Sequence, residues 1–124
     1  MIKDNLIFIR HILDSIEKIE LFVKNISKDE FLKDIKLQDA IVRRIEIIGE
    51  AVKNLSVNFR NKYANVPWSD IAGMRDKLMH HYFGVDLEIV WKAIQKDLID
   101  LKENIKKILL EETKEEVDKE VFKK

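Results

Sequence analysis

One apolar series limits the fold of this chain more than any other feature. Ile2, Leu6, Ile9, Leu13, Ile16, Ile19, Val23 and Ile26 recur at steps of three or four. That spacing keeps side chains on one face of an α-helix and would scatter them over both faces of a strand. It returns at Leu37, Ile41, Ile45, Ile48, Val52 and Leu55, and again at Leu87, Val90, Trp91, Ile94, Leu98, Leu101, Ile105 and Ile108. Three glycines and one proline supply few of the turns that a sheet protein needs. The expected architecture is all-α, an antiparallel bundle of four to five helices.

Local signals place the helix ends. The first helix is expected to stop near Ser27, where Ser-Lys-Asp-Glu reads as a capping box. Ser27 would accept from the backbone of Glu30, Glu30 would reach back, and Ile26 with Phe31 would staple the turn. A second helix is expected from about Ile35 to Val57, with an irregular connection from Phe59 to Val66. Pro67 suits the first turn of a third helix, where its missing N–H costs nothing. That helix should run to about Phe83 and close on Gly84 in the left-handed conformation. Asp86 then caps a fourth helix, with Val85 and Val90 as a second staple. After Leu110 the sequence "EETKEEVDKEVFKK" is nearly all charge. The expectation is a single helical bundle domain over residues 1–110 and a charged helical extension or tail over residues 111–124.

Composition removes several classes of function. The 23 Lys+Arg balance 23 Asp+Glu, which is not the footprint of a protein that coats nucleic acid indiscriminately, although a local basic cleft stays compatible with a neutral total. The absence of cysteine excludes disulfides, thiolate zinc sites and thiol nucleophiles. The apolar run "LIFI" is cut by Arg10 and His11 and is too short for a signal peptide or a membrane span; a cytoplasmic location is expected. There is no H-E-x-x-H, no glycine-rich phosphate loop and no serine–histidine nucleophile arrangement, so no metal and no cofactor are expected.

The chemistry concentrates in "MRDKLMHHYF", residues 74 to 83. On an ideal helix, Trp68, Ile71, Ala72, Leu78, Met79, Tyr82 and Phe83 fall within about 80° of Arg75, so a guanidinium interrupts an apolar face. Its stem can pack while its head reaches a carboxylate or water, and Glu50 of the second helix is the expected partner. Asp76 and His80 stand at i and i+4, close enough for the carboxylate to hold the imidazole and fix its tautomer. His80 lies about 140° from Arg75, on the shoulder of the face. His81 diverges from it and His11 reads as structural. Arg43 and Arg44 are either solvated or an extension of a phosphate-binding surface. An acid–base histidine and an anion-binding arginine suffice for cleaving a phosphodiester by its own 2′-hydroxyl.

Arg75, His80 and Tyr82 spell Arg-x4-His-x-Tyr, and the surrounding blocks "RRIEIIGEAVKNLS", "VPWSDIAGMRDKLMHHYFGVD" and "VWKAIQKDLIDLKENI" follow in order. Together they resemble HEPN-domain toxins of the HepT-like type up to about Leu110. The resemblance implies a helical bundle that forms a homodimer, with both copies of the motif lining a shared cleft. It implies a metal-independent endoribonuclease, the toxin of a toxin–antitoxin pair, with Arg75 and His80 catalytic. It also implies a minimal nucleotidyltransferase antitoxin that adenylylates Tyr82. Asp76 stands where the family commonly has asparagine; a carboxylate there would raise the pKa of His80 and oppose an incoming phosphate. Gly49 is expected to permit close helix packing, Glu50 to brace the cleft, Trp68 to anchor the core, and Trp91 to serve core or dimer interface. A second reading is a catalytically inactive helical module that docks on a nucleotidyltransferase and binds nucleotide or its substrate.

Overall fold

The computed structural model describes residues 4–78 and 86–123, and all regular structure among them is helical. Helix α1 spans Asn5–Val23, with Asp4 accepting from the Leu6 N–H as its cap. It stops four residues before Ser27 because Asn25 takes a left-handed conformation, φ 61°, which asparagine tolerates better than most side chains. The expected capping box is present and opens a separate short helix, α2 (Lys28–Lys33). Ser27 Oγ accepts from Glu30 N at 3.1 Å, and Ser27 N donates to Glu30 Oε1 at 3.1 Å. Phe31 is fully buried and Ile26 half-buried beside it, as a staple requires. Asp34 ends α2 and caps α3 (Ile35–Asn54) by accepting from Leu37 N at 3.0 Å.

Two expected boundaries give way. The segment read as irregular, Phe59 to Val66, begins inside a helical turn, α4 (Val57–Lys62), which Ser56 caps through Phe59 N at 3.1 Å. Phe59, Tyr63 and Val66 are all buried, a step of four then three that is itself helical spacing. Ser56 also ties this corner to the start of α1: its N–H donates to Asn5 Oδ1 at 2.9 Å. The expected continuous third helix is bent at Gly73 into α5 (Trp68–Ala72) and α6 (Met74–Leu78). Gly73 has ψ −1°, well away from the roughly −42° of a regular helix; glycine resists this unwinding least. Pro67 is the residue preceding the first turn of α5, and its carbonyl accepts from Ile71 N at 3.1 Å.

Asp86 caps α7 (Leu87–Lys92), accepting from both Glu88 N and Ile89 N. A π-helical turn over Ala93–Asp97 then leads into α8 (Leu98–Lys123). The single fourth helix of the sequence reading is therefore a rod with a one-turn change of pitch. Its apolar edge, Val90, Ile94, Leu98, Leu101, Ile105 and Ile108, is buried throughout. Gly84 as a helix end and the Val85 staple lie outside the described residues.

The core lies where α1 packs on α3 and α8. Ile9, Ile12, Ile16 and Ile19 of α1 meet Ile41, Ile45, Ile48 and Val52 of α3. Trp68 anchors α5 in this core as expected, donating its indole N–H to the Tyr63 carbonyl at 3.0 Å. Half-buried Trp91 packs on Phe31, ring centroids 5.3 Å apart. Past Leu110 the α8 helix continues and is clamped to α4: Lys62 Nζ reaches Glu112 at 2.7 Å and Glu115 at 2.8 Å, and the Tyr63 hydroxyl donates to Glu112. His11 is exposed and meets Phe8 edge-on. Among the described residues no helix is long and apolar enough to cross a membrane.

Candidate active site

Arg75 sits in the first turn of α6, two residues past the bend at Gly73. Upstream on the same face, Trp68 and Ile71 are buried, which fixes the side of α5 turned to the core. By Arg75 the face has reached water: half of the side chain, 49%, is exposed. A side chain half out of water can keep its charged head hydrated, which removes the cost of burying a guanidinium. The sequence puzzle of a charge on an apolar stripe thus resolves at the rim of the bundle.

The guanidinium has a defined partner, and it is not the expected one. Nε of Arg75 donates to Glu46 Oε2 at 3.0 Å. Glu50, one turn further along α3, is 73% exposed and among the described residues pairs with Lys53, at 3.9 Å. The correction follows from where the helices cross. Gly49 of α3 meets the end of α5, and a Cβ added there would stand 3.4 Å from the Ala72 carbonyl oxygen. Arg75, just past that crossing, comes level with position 46 rather than 50. Asp76 is 80% exposed, with a carboxylate oxygen 3.7 Å from Arg75 Nη1, beyond hydrogen-bond reach.

These groups line one open groove of about 320 Å³ between α3 and the α5–α6 bend, bounded by Arg43, Glu46, Gly49, Glu50, Lys53, Ala72, Arg75 and Asp76. The groove therefore gathers Arg75, Asp76, Glu50 and Gly49 from the sequence reading, together with Arg43. Arg44 is not among the lining residues; its charge acts on Asp14 of α1, whose carboxyl is held below its ordinary value first by the Lys18 hydrogen bond. His80, Tyr82 and His81 lie outside the described residues, as do Met79 and Phe83. Glu46 and Lys53 were missed in the sequence. Their signal was present: positions 43, 46, 50 and 53 are all charged and fall on one side of α3 at helical spacing.

Among the described lining residues the charge is balanced, as it is in the whole chain, with Arg43, Lys53 and Arg75 against Glu46, Glu50 and Asp76. A second hollow of about 470 Å³ lies between α5–α6 and the α7–α8 rod, with Ile71, Met74 and Leu101 among its apolar lining residues and Asp97 and Asp100 among its acidic ones. Among the described residues, Arg75, Asp76 and Glu50 do not line it.

Comparison with known proteins adds identity to this geometry. Residues 12–108 match the sequence model of a family described as "Ribonuclease HepT-like". A protein of Methanocaldococcus jannaschii named "Gamma-glutamylcyclotransferase and putative RNase" is 51% identical over 119 residues, which cover 96% of this chain and 51% of that protein. The chain thus spans about half the length of that relative. A "Putative RNase" of Caldanaerobacter subterraneus subsp. tengcongensis is 50% identical over 105 residues, 85% of this chain and 94% of the relative. A "Probable ribonuclease HepT" of Thermococcus cleftensis is 43% identical over 101 residues, 82% of this chain and 92% of the relative. No solved structure matches the chain. With its family match running from the middle of α1 into α8, the chain belongs to the HepT-like ribonuclease family.

Proposed function

We propose that this chain is a metal-independent endoribonuclease, the toxin of a toxin–antitoxin pair, working as a homodimer in the cytoplasm. Its site is composite, built from Arg75 and His80 at a cleft between protomers. The observation that carries the reading is Arg75 itself, held at the rim of a polar groove in a chain of this family, with the Arg-x4-His-x-Tyr motif intact.

In this reading the ribose 2′-oxygen attacks the adjacent phosphorus, the 2′-O–P bond forms and the P–O5′ bond breaks. The products are a 2′,3′-cyclic phosphate and a free 5′-hydroxyl. His80 takes the 2′-proton or supplies the one that the departing oxygen needs, a role contributing roughly 10²–10⁴-fold in rate. Arg75 stabilises the extra negative charge on the phosphorane. Asp76, next to the arginine, orients His80 and favours its protonated form, the one that can donate to the leaving oxygen. Glu50 braces the groove from α3.

Regulation follows from Tyr82. A minimal nucleotidyltransferase antitoxin transfers an adenylyl group to its hydroxyl, adding bulk and a negative phosphate near the arginine, and RNA is then repelled as well as blocked. The test is direct. Purified, unmodified protein is incubated with total RNA in chelator beside Arg75→Ala and His80→Ala. Cleavage by wild type alone supports the assignment. If all three are equally inert, the protein is the binding module that docks on a nucleotidyltransferase, and the nuclease reading is lost. Mass spectrometry after co-expression with a minimal nucleotidyltransferase antitoxin checks Tyr82 for the adduct; an unmodified tyrosine removes the regulatory claim.

A further inference from the structure

We infer that Glu46 is the positioning residue for Arg75, setting the direction in which its guanidinium faces; the inference rests on the ribonuclease reading for its consequence, though not for its geometry. Arginine presents five N–H donors in one plane, and which of them reach a phosphate depends on how that plane is turned. A carboxylate bonded at Nε fixes the plane from its near edge. The terminal nitrogens are then the ones carried toward the groove, where bidentate phosphate recognition uses them. The 3.0 Å bond from Nε to Glu46 Oε2 is this kind of contact.

The two residues sit in different surroundings, and this gives the contact its purpose. Arg75 is half exposed and stands just after the unwound backbone of Gly73. Glu46 projects from the middle of the twenty-residue α3, between Ile45 and Ile48, both essentially fully buried. A bond across 29 residues of sequence therefore registers a half-exposed side chain at the rim against a well-buried stretch of α3. Asp76 does not do this, since it is far more exposed and 3.7 Å away. Glu46 touches no reacting atom in this reading and acts only through Arg75.

The same carboxylate places a negative charge in an RNA-binding groove, so a competing role exists: a brake that phosphate must displace. The two roles predict opposite kinetics. Glu46→Gln keeps an acceptor oxygen and removes the charge, while Glu46→Ala removes both. For a positioning residue, Glu46→Ala lowers kcat on a single-stranded oligoribonucleotide by about 10- to 100-fold, the scale of an ångström-sized misplacement. KM changes little, Glu46→Gln stays within about threefold of wild type, and adding Glu46→Ala to Arg75→Ala causes no further loss. Faster cleavage by either variant, or an equal loss in both with helicity intact, overturns the inference.

A spectroscopic arm separates this from the nuclease assignment. In ¹H–¹⁵N spectra the Arg75 Nε–H should exchange slowly with water in wild type and in Glu46→Gln, and rapidly in Glu46→Ala. Should wild type cleave no RNA, the nuclease reading fails while this signal still decides the contact. Identical exchange in all three proteins removes Glu46 from the role.

Discussion

Gly49 sets how closely α5 approaches α3, and substituting it tests whether that approach places Arg75. A Cβ at this position would meet the Ala72 carbonyl oxygen at 3.4 Å and that of Ile71 at 3.9 Å, both within ordinary contact. Gly49→Ala therefore fits without movement, and gains about 0.8–1 kcal/mol of helix propensity inside α3. For a chain of this size that raises Tm by about 4 °C. Gly49→Val adds branches that extend about 1.5 Å further, and its stiff side chain has essentially one helical rotamer with which to avoid the α5 backbone. The expected cost is about 1–3 kcal/mol from overpacking, relieved partly by moving α5 away. That movement carries α6 with it and breaks the 3.0 Å contact between Arg75 and Glu46. Urea unfolding and RNA cleavage, run on wild type and both variants, read the two effects separately. Gly49→Ala should be active and slightly stabilised; Gly49→Val should lose activity out of proportion to its stability, by about 10²-fold if the guanidinium shifts by an ångström. A valine variant as stable and as active as the alanine one would refute the claim that this helix crossing positions the site.

Three further outcomes are expected. Tyr63→Phe should cost about 1.5–3 kcal/mol in urea unfolding, the worth of a hydrogen bond to a charged group, because the hydroxyl donates to Glu112 from a buried ring; an unchanged midpoint would show that Lys62 alone holds the α8 clamp. Burial pushes the Glu112 carboxyl up, but hydrogen bonds from Lys62 and Tyr63 outweigh it and leave the pKa below the ordinary 4.5. A lowered folded value contributes stability above pH 4.5 that is lost as pH falls through the folded pKa, so the hydrogen-exchange protection of amides around 112–115, relative to the unstructured chain at the same pH, should fall in that acid window and hold at neutral pH. Last, mixing Arg75→Ala with His80→Ala should restore about a quarter of wild-type cleavage if each site joins the arginine of one protomer to the histidine of its partner, since half of the dimers are mixed and each holds one intact site; no recovery after subunit exchange would place both groups on one chain.

The helical class was legible because burial repeats every three or four residues through Ile9, Ile12, Ile16 and Ile19, and again through Ile41, Ile45, Ile48 and Val52. Caps were legible where one side chain satisfies a nearby backbone donor, as Ser27 and Asp86 do. The bend at Gly73 was less so, since a glycine within a helical pattern is usually tolerated. The partner of Arg75 was not legible at all. Glu46 and Glu50 differ by one turn on the same face of α3, and only the level at which α5 crosses chooses between them. Local chemistry reads from sequence; the meeting of groups 29 residues apart requires the packing.

The Arg75–Glu46 pair also shows why stability is the wrong currency for this site. An ion pair as exposed as this one contributes about 0.2–1 kcal/mol, less than a single well-placed methyl group buried in the core. Its worth lies in direction. Among the described residues of one protomer the groove holds three basic and three acidic side chains, so these charges together supply little attraction for a polyanion, and what distinguishes Arg75 from Arg43 or Lys53 is the Nε bond to Glu46 that we infer aims its fork. A phosphate entering such a groove is selected by geometry, through the donors it meets, rather than gathered by a field. That is the arrangement expected of a nuclease whose total charge is zero: it need not bind RNA tightly everywhere if it holds one phosphodiester correctly at the point of cleavage.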